Sequence, residues 1–550
     1  MPIEGDGRFT WYEDRITDGI RQDVSESTNR YRVLRNASVV NMGSLVKDKG
    51  IRPLVSAQLS GGDTFGGIDA RYNDGTQKIF IAHDNGSNGT IQALNTSGSF
   101  SWSQELNSLP RVKPWMGMFA NKLIVADGTT LRARDQSATW TTPGNSTVNP
   151  CKFAVVYANR LIVFGDPSYP NYFYPSGVSD STDWDASLAV KVTNANGEVI
   201  TGASTCGRFL LVGGQNFIRS YYLGLASPRD WDWDSLSEQV GPVNWQSFVP
   251  VTRYQGSDAA NFTFFWSNYG PAMVADTGGG PPSLIPLWDP IRRAVLGEAF
   301  QGMEGLELSR FANIEGTWCP EFNEVRFAVS FKDKTKNNAL LCVNVDSAIG
   351  ASQNQGFPIW RIRDNSNWQT QAGSVFPVST VFSAEVDDNG APTTTGKVRT
   401  FCAQDGKVYE MDARSDCKDD NTYLIKMQIR KDGYDGYEDG VREHEKSVRG
   451  MYIRTTQVGD FNLQMRVVAD GGQDASFDSI TTSTGQRKWG AGNDWGDGSL
   501  WNSAGEFVTE DVDFHCLGQK FDLEIYDNGE IEAPIEINSW SLWGYVEDRR

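Results

Sequence analysis

The chain has 550 residues, of which 56 are glycine and 64 aromatic (18 Trp, 18 Tyr, 28 Phe), and it carries a formal charge of −19 with a pI near 4.7. No run approaches the roughly 18 apolar residues of a membrane-crossing helix, and Met1-Pro2-Ile3-Glu4-Gly5-Asp6 has neither the basic nor the apolar region of a signal peptide, so a soluble protein with no Sec-type export signal is expected. The acidity argues against a nucleic-acid grip, because ordinary affinity for duplex DNA comes from cations that displace counterions.

Residues 1–75 are polar and turn-rich. Trp11 to Tyr31 offers a short helix weakened by Gly19 and the Ser-Glu-Ser-Thr tract. Asn36 to Leu54 reads as two extended pieces around a Gly turn, ending where Pro53 enforces extension. Ser60 to Gly67, with four glycines, reads as a flexible linker or surface loop.

From residue 76 to about 412 a cassette recurs: a small or turn residue, a cation, an unbroken apolar run, then glycine. Its clearest copies are Asn121–Gly128, Asn159–Gly165 and Gly207–Gly213, each preceded by another short apolar strand (Trp115 to Phe119, Phe153 to Tyr157, Val199 to Ser204). The cations Lys122, Arg160 and Arg208 are 38 and 48 residues apart, and Lys78-Ile79-Phe80-Ile81-Ala82 lies 44 before Lys122. These intervals fit the roughly 40–50 residues of one four-stranded propeller blade. Looser copies follow at Phe262–Trp266, Val325–Phe331 and Val398–Cys402, and Thr400–Asp412 forms a hairpin about Asp405-Gly406. Asp289, Pro290 and Ile291–Phe300 predict one helix between blades, capped by the aspartate.

Past residue 413 the texture changes to alternating strands, such as Phe461-Asn462-Leu463-Gln464-Met465-Arg466-Val467, the pattern of a half-buried antiparallel sheet. The predicted fold is therefore all-β: a β-propeller of six or seven blades over 76–412, with a β-sandwich-like domain over 413–550. The N-terminal segment 1–75 is a candidate contributor to that second domain.

Chemistry is sparse. Only His83, His444 and His515 exist, without metal-binding or catalytic spacing, and no GxSxG, phosphate loop or GxGxxG is present. The seven scattered cysteines predict reduced, buried thiols. Asp180, Asp183 and Asp185 around Trp184, and Asp230, Asp232 and Asp234 around Trp231 and Trp233, are the one glycosidase-like signal. Asp-Trp turns at blade corners, with the indole buried and the carboxylate solvated, account for them better, and the sialidase-type Asp box is missing. Asp432–Gly440 offers hard oxygen ligands without EF-hand spacing. No catalytic, cofactor-binding or metal-binding residue is assigned, and no enzyme activity is expected.

The order of features resembles the tail nozzle (tail stabilisation, or tubular) proteins of short-tailed bacteriophages. A Gly-turn segment ending Lys47–Pro53 comes first. Asn159–Pro167 then runs into Pro170-Asn171-Tyr172-Phe173-Tyr174 and Ser181-Thr182-Asp183-Trp184, and an Asp-Gly-Lys-Val-Tyr-Glu-Met-Asp hairpin leads into a β-rich tail. The Gly-Pro insertion at 278–287 and the acidic loop at 432–440 depart from that pattern. The resemblance implies a non-enzymatic virion component assembled in the host cytoplasm. Six copies would ring the distal tail below the adaptor (head-to-tail connector) and beside tail fibres or spikes. The ring would close the DNA channel before infection and conduct the genome through its lumen during ejection. A propeller glycosidase or depolymerase acting on host polysaccharide and a propeller protein-interaction scaffold remain the alternatives.

Overall fold

A computed structural model describes residues 8–13, 31–40, 43–193, 197–222, 227–255, 258–276, 278, 280–299, 304–353, 358–366, 376–414, 416–420, 422–434, 444–456, 461–470, 472, 474–482, 507–527 and 535–547. Strand accounts for 55% and helix for 7%.

The propeller has seven blades. Their first strands are Thr64–Arg71, Trp115–Phe119, Phe153–Tyr157, Gly202–Cys206, Val249–Gln255, Glu315–Cys319 and Thr380–Val386. Each packs on the first strand of the next blade, and the seventh returns to the first, so the ring is closed. The second strands are Gln77–Asp84, Lys122–Ala126, Arg160–Phe164, Phe209–Gly214, Asp258–Ser267, Glu324–Val329 and Lys397–Gln404. All seven copies of the cassette, tight and loose, fall on these second strands. They are apolar because they lie between their sheet neighbours and are covered on both faces by adjoining blades, as the zero exposure of Leu161, Ile162, Val163 and Phe164 shows.

Hairpin chemistry explains the cassette's opening residues. Phe119 pairs with Lys122 and Tyr157 with Arg160, which leaves two-residue turns at Ala120-Asn121 (φ 47° and 60°) and Ala158-Asn159 (φ 53° and 54°). Positive φ at both positions is the type I′ geometry that matches strand twist. Asp405-Gly406 repeats it, while Gly207 alone is positive in the fourth blade. At the cassette's other end, Gly128 and Gly165 have φ of +81° and +80°. Gly213 instead lies in regular strand, where an added Cβ would meet Pro242 at 2.5 Å.

The N-terminal segment closes the ring. Arg52–Pro53 forms the fourth strand of the last blade, pairing with Lys407–Glu410, and Arg52 makes an ion pair with Glu410. Leu54 N–H donates to Val408 O at 2.9 Å. Proline is tolerated here because this strand is an edge. Ser60–Gly67, expected as a linker, already contains the start of the first blade. Gly67 lies under the ring of Phe382 in the seventh blade, where a Cβ would come within 2.5 Å. These glycines serve a close approach between strands and not flexibility. The expected helix is also shorter than predicted. A 3₁₀ turn at Asp289–Ile291 runs into Arg292–Val295, Asp289 makes no capping bond, and Gly297 (φ +76°) ends the segment. Trp11 lies in the strand Arg8–Glu13 and not in a helix, while 14–30 lie outside the described residues.

The remaining strands form a sandwich. One sheet runs Ala37–Val40, Ser44–Lys47, Glu536–Glu547, Glu445–Thr456 and Phe507–Gly518, with Arg8–Glu13 also on Glu536–Glu547. The facing strands Tyr31–Arg35, Gln428–Tyr434, Phe521–Asp527, Phe461–Ala469 and Asp474–Thr482 are continuous with the sixth blade. Arg35 pairs in parallel with Ile362 on that blade's outer strand, giving one nine-stranded sheet across both units. Asn36 locks the junction from a positive φ of 54°. Its N–H donates to Ile362 O at 2.7 Å, and its Oδ1 accepts from Asp364 N–H at 2.9 Å.

A buried ionic cluster reinforces this junction. Arg326, Arg361 and Arg363 of the sixth blade are each at most 2% exposed. Arg361 binds Glu324 at 2.5 and 2.8 Å and Asp48 at 2.7 Å, Arg326 binds Asp412 at 2.7 Å, and Arg363 binds Asp419 at 2.8 Å. Lys47 and Asp527, both fully buried, pair at 3.0 Å alongside. Burial works against ionisation of Asp412, but the charges of Arg326, Arg363 and Arg361 outweigh it and lower its carboxyl below the ordinary 3.8. At Asp419 burial wins over Arg363 and the carboxyl is raised.

Two outcomes follow for stability. Gly128→Val and Gly165→Val should each cost about 1–3 kcal/mol through backbone strain, and Gly213→Val should destabilise by steric contact with Pro242; urea melts check all three. A lowered acid stabilises above the unfolded carboxylate range and ceases to do so as pH falls through its folded value. Asp412→Asn should therefore be less stable than wild type at neutral pH, with the difference shrinking below about pH 4. Thermal melts across that range read it directly.

Candidate functional sites on the propeller axis and the sandwich face

The first strands converge on the propeller axis, where small residues, among them Gly66, Gly67, Ala154, Ala203 and Gly316, leave a cavity of about 350 Å³. Trp115, Trp245 and Phe248 form apolar wall, and Trp245 stacks on Phe153 at 6.2 Å. One ion pair spans its edge: Lys113, from the connection between blades one and two, pairs with Glu315 of blade six. The Thr380 hydroxyl of blade seven donates to Glu315 at 2.6 Å, and the Lys113 ammonium donates to Thr380 at 3.2 Å. Burial pushes the Lys113 ammonium below its ordinary 10.5, with Glu315 opposing the shift. The group is a clasp across three parts of the ring.

The acidic Asp-Trp clusters lie elsewhere. Asp180 accepts from Thr182 N–H at 2.8 Å and its hydroxyl at 2.7 Å, and these bonds lower its carboxyl. Asp185 caps the 3₁₀ turn Ala186–Leu188, accepting from Ser187, which lowers it likewise. The Trp184 indole donates to Ser181 O at 2.9 Å. Trp231 is buried in a ring cluster with Tyr157 and Phe173, while Trp233 is 48% exposed beneath the guanidinium of Arg219 at 4.0 Å. Asp232 and Asp234 belong to the outer strand of blade four, Asp232–Ser237. None of these acids lines the axial cavity, and Asp180 and Asp185 are engaged as turn acceptors.

His83 is buried and bonded to Ser60 O at 3.0 Å, and His515 is exposed on the sandwich, 3.4 Å from Arg449. All seven cysteines are buried and none is in a disulfide; burial pushes the Cys342 thiol up to about 12. Of the acidic stretch 432–440, the first residues belong to the strand Gln428–Tyr434 and residues 435–440 lie outside the described residues.

A further site escaped the sequence. The outward residues of the sandwich's first sheet form an aromatic platform. Thr10 pairs with Trp543, Tyr12 and Tyr452 flank Ser541, and Arg8 pairs with Tyr545. Trp543 lies over Gly450, where a Cβ would meet its indole at 2.6 Å. Tyr452 stacks on Trp543 at 6.4 Å, Tyr545 meets it edge-on at 6.4 Å, and the Arg8 guanidinium sits 5.3 Å from its ring centre. Tyr12, Tyr452 and Tyr545 are 58%, 37% and 37% exposed, and Asp511 and Asp513 rim the patch from the neighbouring strand. Three exposed tyrosines and the partly buried Trp543 thus share one sheet face.

No family model matches the chain, and no curated protein does. Among solved structures, the N-terminal domain of Nup159 is 11% identical, with 72% of this chain and 99% of that one covered at a TM-score of 0.37. BBS1N in complex with ARL6DN is likewise 11% identical, covering 67% and 96% at 0.37. Virginiamycin B lyase from Staphylococcus aureus is 9% identical, covering 58% and 96% at 0.29.

Removing one partner of a mostly buried pair leaves the other charge uncompensated. Lys113→Met should therefore cost about 1–3 kcal/mol, and Glu315→Gln in the same chain should restore most of the loss. A double-mutant cycle in urea measures the coupling.

Proposed function

We propose that this propeller protein is a structural subunit of a phage tail nozzle, assembled as a ring of six copies on the adaptor at the distal end of a short tail. The observation that carries the reading is the aromatic platform of Tyr12, Tyr452, Trp543 and Tyr545, an exposed face suited to burial against a neighbouring protein. Three further features support it. The nine-stranded sheet joins propeller and sandwich, which suits a part that must keep its shape under load. Asp180 and Asp185 are spent on turns, which disfavours the depolymerase alternative. The third is the order of sequence features on which the resemblance described above rests.

The propeller axis does not serve as the DNA path in this reading, because Trp115, Trp245 and the Lys113–Glu315 clasp border a cavity of only about 350 Å³. The genome would pass between copies, in a lumen whose walls come from chains of charge −19 each. Such walls give few phosphate contacts, and DNA slides where it is not held.

The test is assembly. Purified protein, alone or with its adaptor, should form rings visible by electron microscopy. Trp543→Ala with Tyr452→Ala should keep the wild-type melting temperature within a few degrees but abolish rings. Duplex binding should be negligible in gel shift at about 150 mM salt. Absence of any ring with the adaptor, or tight duplex binding, would remove the nozzle reading. A non-viral interaction scaffold would use the same platform and form no ring, and polysaccharide cleavage by the isolated protein would favour the depolymerase.

A further inference from the structure

Lys113 and Glu315 are the only charged side chains among the described residues that line the axial cavity, and the wall around them is mostly small or apolar. Lys113 also lines a second cavity of about 340 Å³, so its side chain, 20% exposed, stands where the two meet. A Cβ at Gly66 would come 3.8 Å from the Lys113 Nζ, and glycine there keeps that flank of the amine free of side chain. An ammonium has three N–H donors. One meets Glu315 Oε1, a second meets the Thr380 hydroxyl at 3.2 Å, and the third has no partner among the described residues. Glu315 is fixed from its other oxygen. Its Oε2 accepts from the Thr380 hydroxyl at 2.6 Å and from Val381 N–H at 3.3 Å, which leaves Oε1 for the amine.

A lysine becomes a nucleophile when it gives up a proton, and an adjoining carboxylate together with partial removal from water makes that easier. Burial already lowers the Lys113 ammonium, with Glu315 as both the opposing charge and the nearest proton acceptor. The cavity of about 350 Å³ lies within the 300–1,000 Å³ or so usual for small-molecule sites. We infer that Lys113 is a covalent binding site for small neutral aldehydes with an apolar body, captured on the propeller axis as a Schiff base. Nζ passes one proton to Glu315 Oε1 and adds to the carbonyl carbon. The carbonyl oxygen takes that proton and a second one from the nitrogen, then leaves as water while C=N forms. No electrons are exchanged and no co-reactant is needed. The product is an iminium that keeps the positive charge, so Glu315 stays compensated and the clasp survives the reaction. Trp115, Trp245 and Phe248 receive the apolar body, and the Glu315 carboxylate disfavours an anionic one. This goes beyond the nozzle reading and does not depend on it: a ring could form whether or not the lysine is modified.

Benzaldehyde with sodium cyanoborohydride, applied to the folded protein near neutral pH, provides the test. The hydride reduces an iminium to a stable secondary amine, which peptide mass spectrometry locates. Lys113 should be benzylated roughly tenfold or more faster than the median of the other lysines, and the preference should vanish in urea. Its labelling should rise with pH through a midpoint below the ordinary 10.5, whereas exposed lysines should follow the ordinary value. Glyoxylate, an aldehyde that carries a carboxylate, should label Lys113 more slowly than benzaldehyde does. Without reductant, calorimetry should show saturable benzaldehyde binding that Lys113→Arg loses, since arginine keeps the charge beside Glu315 but forms no imine. Should that variant misfold, the labelling of the wild-type chain still decides. Lys113 labelled no faster than other lysines, a midpoint at or above 10.5, glyoxylate as fast as benzaldehyde, or undiminished binding by folded Lys113→Arg would each overturn the assignment.

Discussion

Three guanidiniums on the sixth blade sit where water does not reach, and most of the molecule is organised around keeping them paired. Taking an arginine out of water is expensive unless its donors are met by acceptors of opposite charge. The acceptors come from distant parts of the chain: Asp48 before the propeller, Glu324 within it, and Asp412 and Asp419 after it. Each guanidinium draws on two of these carboxylates, so the N-terminal segment and the chain beyond the last blade are held in place together. The same region carries the shared nine-stranded sheet and the Asn36 junction. Blade six is thus both a sector of the ring and the root of the sandwich.

That arrangement makes the two units one mechanical body. A flexible linker would let a propeller swing, whereas a backbone ladder continued from one domain to the next resists bending in the sheet plane. The platform on the sandwich is carried on the facing sheet, whose core residues Met451, Ile453, Trp540 and Leu542 pack in the cluster that also holds Phe327, Leu341 and Ile362 of blade six. Force or displacement applied at the platform therefore reaches the ring without passing through a hinge.

Much of the propeller was readable because its signal is local. A second strand covered on both faces must be an unbroken apolar run, and a tight hairpin must open with residues that accept positive φ. Both demands are met within about ten residues of sequence, so Lys122–Ala126 and Arg160–Phe164 stand out without any partner being known. The rest was hidden for a physical reason. Gly67 looks like linker until Phe382, 315 residues later, is seen lying over it. Asp48 and Arg361 are 313 residues apart, and nothing in either neighbourhood announces the other. Trp543 looks like any strand tryptophan until Gly450 and Tyr452 are placed beside it. The Asp-Trp clusters carry a local pattern open to turns or chemistry, and in the structure Asp180 and Asp185 are turn acceptors.

The closing strand Arg52–Pro53 also sets a timetable. It precedes its partner Lys407–Glu410 by more than 350 residues, and Ser44–Lys47 precedes the strand Glu536–Glu547 that receives it by a longer interval still. During synthesis Ser44–Lys47 and Arg52–Pro53 have open backbone edges until those partners are made. Unpaired edges are where chains find wrong partners.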